Sequence, residues 1–205
     1  MIVLKHVCGL LETNTILVGC EETKKAAVVD PGFKSISWIL KQLNISNFEL
    51  DSILLTHGHF DHIMDVFAIK KEFPDAKVSI HKEDRKLLEE PESTFFLKPK
   101  AVIPDVLLCG GETISLGKVQ IQVIYTPGHT LGSVCYYIPE GKILFSGDTL
   151  FQGTIGRING SEEMMWDSLR KLSDLPKDTR VIPGHGDETT IGEEKFLSNP
   201  QKFFS

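Results

Sequence analysis

The chain is 205 residues long and carries 28 acidic against 22 basic side chains, a net charge of −6; that length suits one sizeable domain with a complete core. The acidic balance and the scatter of Lys and Arg, with no basic run of five or more, argue against nucleic acid as a partner. No apolar stretch reaches the roughly 18 residues that cross a bilayer, and the opening MIVLKHVCGLLETN, broken by Lys5 and His6, makes a poor secretory signal.

Three apolar or β-branched runs, 2–7, 15–20 and 25–30, lie between turn signals and predict three strands, the last ended by Pro31-Gly32. Ile36, Ile39, Leu40 and Leu43 then follow helical spacing over 34–44. Residues 50–55 predict a strand that delivers Thr-His-Gly-His-Phe-Asp-His (56–62) at its end. A helix is expected over 61–73, with Ile63, Val66, Phe67 and Ile69 toward the core and Pro74 just beyond. A strand at 78–81 and a short helix at 83–90 follow. Residues 91–106 hold Pro91, Pro99 and Pro104 and no clear period, which predicts a long surface loop near a functional site. Strands are expected at 112–116, 119–125, 133–138 and 142–146. A helix over 161–174 opens on Ser161, with Glu162 and Glu163 in its first turn. A strand at 179–182 and a short helix at 191–198 close the chain. Two β-rich halves, each followed by helices, predict an α/β fold of two packed sheets with helices outside. Cys8, Cys20, Cys109 and Cys135 are far apart without a C-x-x-C; buried free thiols in a reducing cytoplasm are expected.

The segment 56–62 packs three imidazoles and a carboxylate into seven positions, an N/O donor set suited to zinc, iron or manganese. His57 and His59, two apart in an extended loop, point the same way, whereas the adjacent Asp61 and His62 diverge. One short segment can thus serve two ions; the plainer reading is a polar loop with Asp61 as a helix N-cap. Three further polar residues sit in turns after apolar strands, each preceded by Gly: His129, Asp148 and His185. Strand-end loops on one edge of an α/β fold collect into one site.

The motifs THGHFDH, GHT (128–130), SGDTLF (146–151) and PGHG (183–186), in this order across nearly the whole chain, resemble the metallo-β-lactamase superfamily. The resemblance implies a single domain over 1–205 with a four-layer αββα sandwich of two mixed β-sheets. It further implies two divalent ions, zinc with iron or manganese as alternatives. His57, His59 and His129 would hold one, Asp61, His62 and His185 the other, and Asp148 would bridge them; Thr56 and Thr130 would support the ligands. Asp148 stands where the commonest β-lactamase subclass has a thiolate, which argues against antibiotic hydrolysis. His59 stands where flavo-diiron proteins have Glu, and the large insertion of the RNA-processing branch is absent.

GDTLFQGTIGR (147–157) and the stretch 175–200 look like the glyoxalase II branch in its short bacterial form. Arg157 matches a basic residue that contacts the glutathione carboxylate in larger members, but Asn159 stands where they have Tyr, and the helical C-terminal domain that adds glutathione contacts is not found. The implied reaction is hydrolysis of a small 2-hydroxyacyl thioester such as lactoyl-glutathione. A hydroxide shared by the two ions would attack the carbonyl, with Asp61 and Asp148 as the carboxylates of the chemistry. The partner is then a small acyl thioester, not nucleic acid or membrane, and the protein a monomer or small homo-oligomer. A rival resemblance is to mononuclear iron persulfide dioxygenases, which would use only His57, His129 and Asp148; a non-catalytic metal-binding domain is the third reading. Phe95 and Phe96 are candidates to line an acyl pocket or to tuck inward. His6, His81, Trp38 and Trp166 read as structural.

Overall fold

A computed structural model describes residues 1–94 and 96–200. The first half builds a six-stranded sheet in the order β1 (Ile2–Cys8), β2 (Thr13–Cys20), β3 (Lys25–Val29), β4 (Glu49–Leu54), β5 (Lys77–His81) and β6 (Val106–Leu108). Short turns join β1, β2 and β3 as antiparallel neighbours, and the later pairs are parallel. Parallel pairing needs a crossover, supplied between β3 and β4 by α1 (Ile36–Ser46) and between β4 and β5 by α2 (Phe60–Ile63) and α3 (Val66–Glu72). After β5, a 3-10 turn (Lys82–Asp84) leads into α4 (Arg85–Glu89).

The second half builds another six-stranded sheet from β7 (Thr113–Leu116), β8 (Val119–Tyr125), β9 (Val134–Ile138), β10 (Ile143–Gly147), β13 (Arg180–Pro183) and β14 (Thr189–Thr190). Its one parallel pair, β10 and β13, is bridged by α5 (Glu162–Ser173); a small hairpin of β11 (Leu150–Phe151) and β12 (Thr154–Ile155) precedes that helix.

Strand alternation sets the layers. Ile16 and Val18 of β2 meet Tyr136, Phe145 and Ile182 in the core between the sheets. Leu17, between them in sequence, faces the opposite way, with Ile39 and Leu43 of α1 and Ile69 of α3. Leu144 and Val181 pack likewise under Met165, Leu169 and Leu172 of α5. The result is a four-layer αββα sandwich of two mixed sheets. No helix among the described residues is long and apolar enough to cross a membrane.

Several expectations change. The helix expected over 61–73 breaks at Met64 and Asp65, where Asp65 leaves helical geometry at φ −99°, ψ 2°. Its carboxylate accepts from the Ile36 amide at 2.9 Å and the Ser35 hydroxyl at 3.3 Å, and its amide donates to Pro31 O. The start of α1 thus decides the break. The three-residue edge strand β6 begins at the last residue of the long loop expected over 91–106 and pairs with β5. The helix expected at 191–198 reduces to a 3-10 turn, Lys195–Ser198. All four cysteines are free, and Cys109 is exposed rather than buried.

The C-terminal ends of β4, β10 and β13 open on one edge. There the two sheets are joined by backbone hydrogen bonds from Asn14 to Gly184 O (2.7 Å) and from Val134 to Thr56 O (2.8 Å). Every Gly-marked turn singled out above lies at this edge.

Candidate metal centre

The segment after β4 is extended through His59, whose φ and ψ are −66° and 147°, so His57 and His59 project together before α2 turns Asp61 and His62 elsewhere. The donor atoms of His57, His59 and His129 all lie within 4.8 Å of one another, as do those of Asp61, His62 and His185. Asp148 lies between the two groups. Its Oδ2 is 3.4 Å from His129 Nε2 and 3.6 Å from His185 Nε2, and its Oδ1 is 3.5 Å from His62 Nε2. All seven residues singled out by motif therefore converge.

The outer side of the cluster fixes the ring tautomers. His129 Nδ1 is 2.8 Å from Arg157 O, and His185 Nδ1 is 2.8 Å from Leu11 O. Only an N–H satisfies a carbonyl, so both rings donate outward and turn a bare Nε2 inward. His62 Nδ1 donates to Asp30 Oδ2 at 3.0 Å. The Thr56 hydroxyl donates to the same carboxylate at 2.6 Å, which leaves its lone pair to accept from His57 Nδ1 at 3.0 Å. Such outward anchors are how proteins orient imidazole ligands.

The inward face fits metal ions. His57 Nε2 and Asp148 Oδ1 are buried and make no hydrogen bond with the described residues, although buried polar atoms ordinarily do. His62 Nε2 and His185 Nε2 face each other at 3.2 Å with both Nδ1 atoms already donating, so a cation or a proton must sit between them. Gly184 closes the cradle: a Cβ there would lie 2.2 Å from Asp148 Oδ1 and 2.8 Å from His62 Cε1.

Electrostatics sorts the rings. Burial, aided by neighbouring imidazoles, pushes His57 well down and His59 to about 4; burial also takes His129 to about 4. Burial would lower His62 and His185 too, but the surrounding carboxylates, Asp148, Asp30 and Asp61 for His62 and Asp61 and Asp148 for His185, outweigh it and raise both. Burial would raise Asp61, yet His62 and His185 hold it well below the usual carboxylate range. Burial raises Asp148. In the metal-free protein, His59 and His129 are therefore expected to stay neutral to pH 5, whereas an ordinary imidazole is mostly protonated there. A ¹⁵N-detected histidine titration checks this; midpoints near 6.5 for these two rings would contradict it.

Three residues not singled out by the sequence reading hold the site together. Asp30 also accepts from the Thr56 amide at 2.8 Å. Asp84, buried at the start of α4, accepts from Gly58 N (2.9 Å), Thr130 Oγ1 (2.7 Å) and Gly132 N (2.8 Å), tying the His59 loop to the His129 loop. Thr13 Oγ1 donates to Asp61 Oδ2 at 3.0 Å. Only Asp30 had a signal, an acid ending an apolar strand before Pro-Gly.

Two cavities meet at His59. A groove of about 540 Å³ is lined by His59, Glu83, Lys86, Glu90, Glu92 and Asn159, among others. A recess of about 100 Å³ is lined by Gly58, Phe60, Ile63, Leu87, Pro91 and Thr94, together with His59 and Glu92. Asn159 donates its amide to His129 O at 3.0 Å. Arg157 reaches the cluster through its carbonyl, and the residue is exposed. Phe96 is fully exposed and lines neither cavity; Phe95 lies outside the described residues. His6 stacks on Trp38 and His81 on Tyr125, away from the cluster.

The profile of the metallo-beta-lactamase superfamily matches residues 8–185. The hydroxyacylglutathione hydrolase GloC of Haemophilus influenzae is 36% identical over 189 residues, 88% of each chain. Among solved structures, the BLEG-1 B3 metallo-beta-lactamase superposes with a TM-score of 0.88 at 33% identity, over 97% of this chain and 100% of that one. A di-iron-bound form of TTHA1623 gives 0.83 at 34%, over 93% and 96%. ETHE1 from Myxococcus xanthus gives 0.80 at 29%, over 97% and 84%.

Proposed function

The chain belongs to the metallo-β-lactamase superfamily, and from that premise we propose that it is a dinuclear metal-dependent hydrolase of small 2-hydroxyacyl thioesters acting in the cytoplasm. The reaction is assigned to this one domain. His57, His59 and His129 would hold one ion and Asp61, His62 and His185 the second, with Asp148 shared; zinc suits this set, as do iron and manganese. Bound there, two divalent ions would supply water acidified toward neutral pH and Lewis-acid polarisation of the substrate carbonyl.

The chain's own residues do the rest. Asp61, steadied by Thr13, offers a carboxylate acceptor that orients the attacking water. The recess receives the acyl group and the groove the thiol half. Water's oxygen bonds to the acyl carbon as the C–S bond breaks, and the products are the 2-hydroxy acid and the free thiol. A thiolate with an ordinary pKa of about 8.5 leaves without a dedicated acid, so a thioester asks for no general acid from the groove.

The observation that carries this reading is Asp148, placed within 3.4–3.6 Å of nitrogens from both triads. The likeness to a hydroxyacylglutathione hydrolase supports the substrate class. The test is metal quantification together with a panel of lactoyl-glutathione, a β-lactam and an alkyl persulfide. Two ions per chain and thioester hydrolysis are expected. One iron per chain with oxygen uptake on the persulfide would replace this reading with a dioxygenase, and preferential β-lactam cleavage would replace it with an antibiotic hydrolase.

A further inference from the structure

We propose that the groove selects the thiol half of the substrate by charge: it disfavours carriers bearing carboxylates and takes a thioester whose thiol half is cationic. This rests on the thioester reading. The two cavities differ in kind where they meet at His59. The recess is small and mostly apolar, and two of its lining residues pack closely: a Cβ on Gly58 would lie 2.5 Å from Leu87 Cβ. Its volume is well under the several hundred Å³ usual for a whole-ligand pocket, so it suits a short acyl group. The groove falls inside the usual range and is left for the carrier.

The described lining of the groove is rich in acceptors and poor in donors. Glu83, Glu90 and Glu92 are exposed on it against a single cation, Lys86. Lys86 Nζ lies 3.8 Å from Glu90, one helical turn on, so its charge is partly offset. The neutral donors are partly engaged elsewhere. Thr130 donates its hydroxyl to Asp84 at 2.7 Å, and the Asn159 amide gives one of its two N–H groups to His129 O. What faces a carrier is therefore three carboxylates against one ammonium, a net negative lining that suits a cation better than a carboxylate. Arg157, the residue that would answer a glutathione carboxylate, is not among the lining residues. Glutathione brings two carboxylates and one ammonium to this surface. The acidic side chains are solvated, so the discrimination is electrostatic steering, moderate in size and sensitive to salt.

The test is a set of lactoyl thioesters sharing one acyl group: S-lactoylthiocholine (a fixed cation that cannot acyl-migrate), S-lactoyl-N-acetylcysteamine (neutral) and S-lactoyl-3-mercaptopropionate (an anion), with S-lactoylglutathione beside them. For the metal-loaded protein at low salt, kcat/KM is expected to fall from cation to neutral to anion, with roughly tenfold between the ends. High salt is expected to compress that ratio. In the triple variant Glu83→Gln, Glu90→Gln, Glu92→Gln the ratio is expected to approach one; all three side chains are exposed, so the fold tolerates the change. Equal rates, a preference for the anion or glutathione, or an unchanged ratio in the variant would overturn the proposal and leave the thioesterase reading standing. No cleavage of any of the four would overturn both.

Discussion

Asp148→Ala is expected to lose metal and turnover together, with metal affinity falling at least about a hundredfold and kcat/KM by about a thousandfold or more. The carboxylate contacts nitrogens of His62, His129 and His185, so its loss removes a donor from both halves at once. The fold should not suffer. Burial raises the Asp148 carboxyl above its unfolded value, and a carboxyl shifted in that direction opposes folding at neutral pH, where the unfolded chain has it ionised. Its Oδ1 makes no hydrogen bond with the described residues. The metal-free variant is therefore expected to melt at or above the temperature of the metal-free parent, while the metal-supplemented variant loses the stabilisation that ion binding gives the parent. Plasma emission on the dialysed protein and paired calorimetric melts check both halves. A variant that retains two ions per chain and parental rates would end the dinuclear proposal.

The contrast between a function-bearing residue that strains the fold and its neighbours that support it explains what the sequence could and could not disclose. The seven converging donors were legible because each follows closely on an apolar strand, with Gly marking the late ones, and because four of them share one heptapeptide. The layers were legible for a similar reason: Ile16, Leu17 and Val18 alternate between the inner core and the helices, and period-two alternation survives in any strand. Long-range contacts were not legible. Nothing local to Asp65 says that it will accept from Ser35 and Ile36 and so break a helix whose apolar spacing runs straight through it. Asp84 looks like one more acid before a short amphipathic helix, and only the folded chain shows three donors from two distant loops turned toward it. Glu83, Glu90 and Glu92 read as a solvated surface until they are found lining the same groove as His59. Strand β6 is three residues long, too short to assert a period against the proline-rich loop before it.

Asp30 is the sharpest case of a residue hidden in sequence and central in structure, and its replacement by Ala should be the most disruptive single change to the fold around the site. It is 2% exposed and accepts from the Thr56 amide, the Thr56 hydroxyl and His62 Nδ1 at 2.6–3.0 Å. Truncation leaves these buried donors without a partner, at about 1–3 kcal/mol each and not strictly additive. It also places Ala at φ 48°, a left-handed conformation that Asp tolerates better, for about a further 1 kcal/mol. A total loss of about 3–5 kcal/mol corresponds to a fall of roughly 10 °C in Tm for a chain of this size. The functional loss has a separate route. With Asp30 gone, nothing holds His62 Nδ1, and Thr56 is free to rotate away from His57, so one ring in each triad loses its fixed tautomer. Metal affinity is expected to drop about 10–100-fold at both positions. Asp30→Asn separates the two effects: its amide oxygen can still accept from the Thr56 amide, so part of the Tm should return, while an NH2 in place of Oδ2 and the missing negative charge beside His62 keep metal affinity low. Parental metal binding in Asp30→Ala, measured below its melting temperature, would show that the seven ligands are held without this carboxylate.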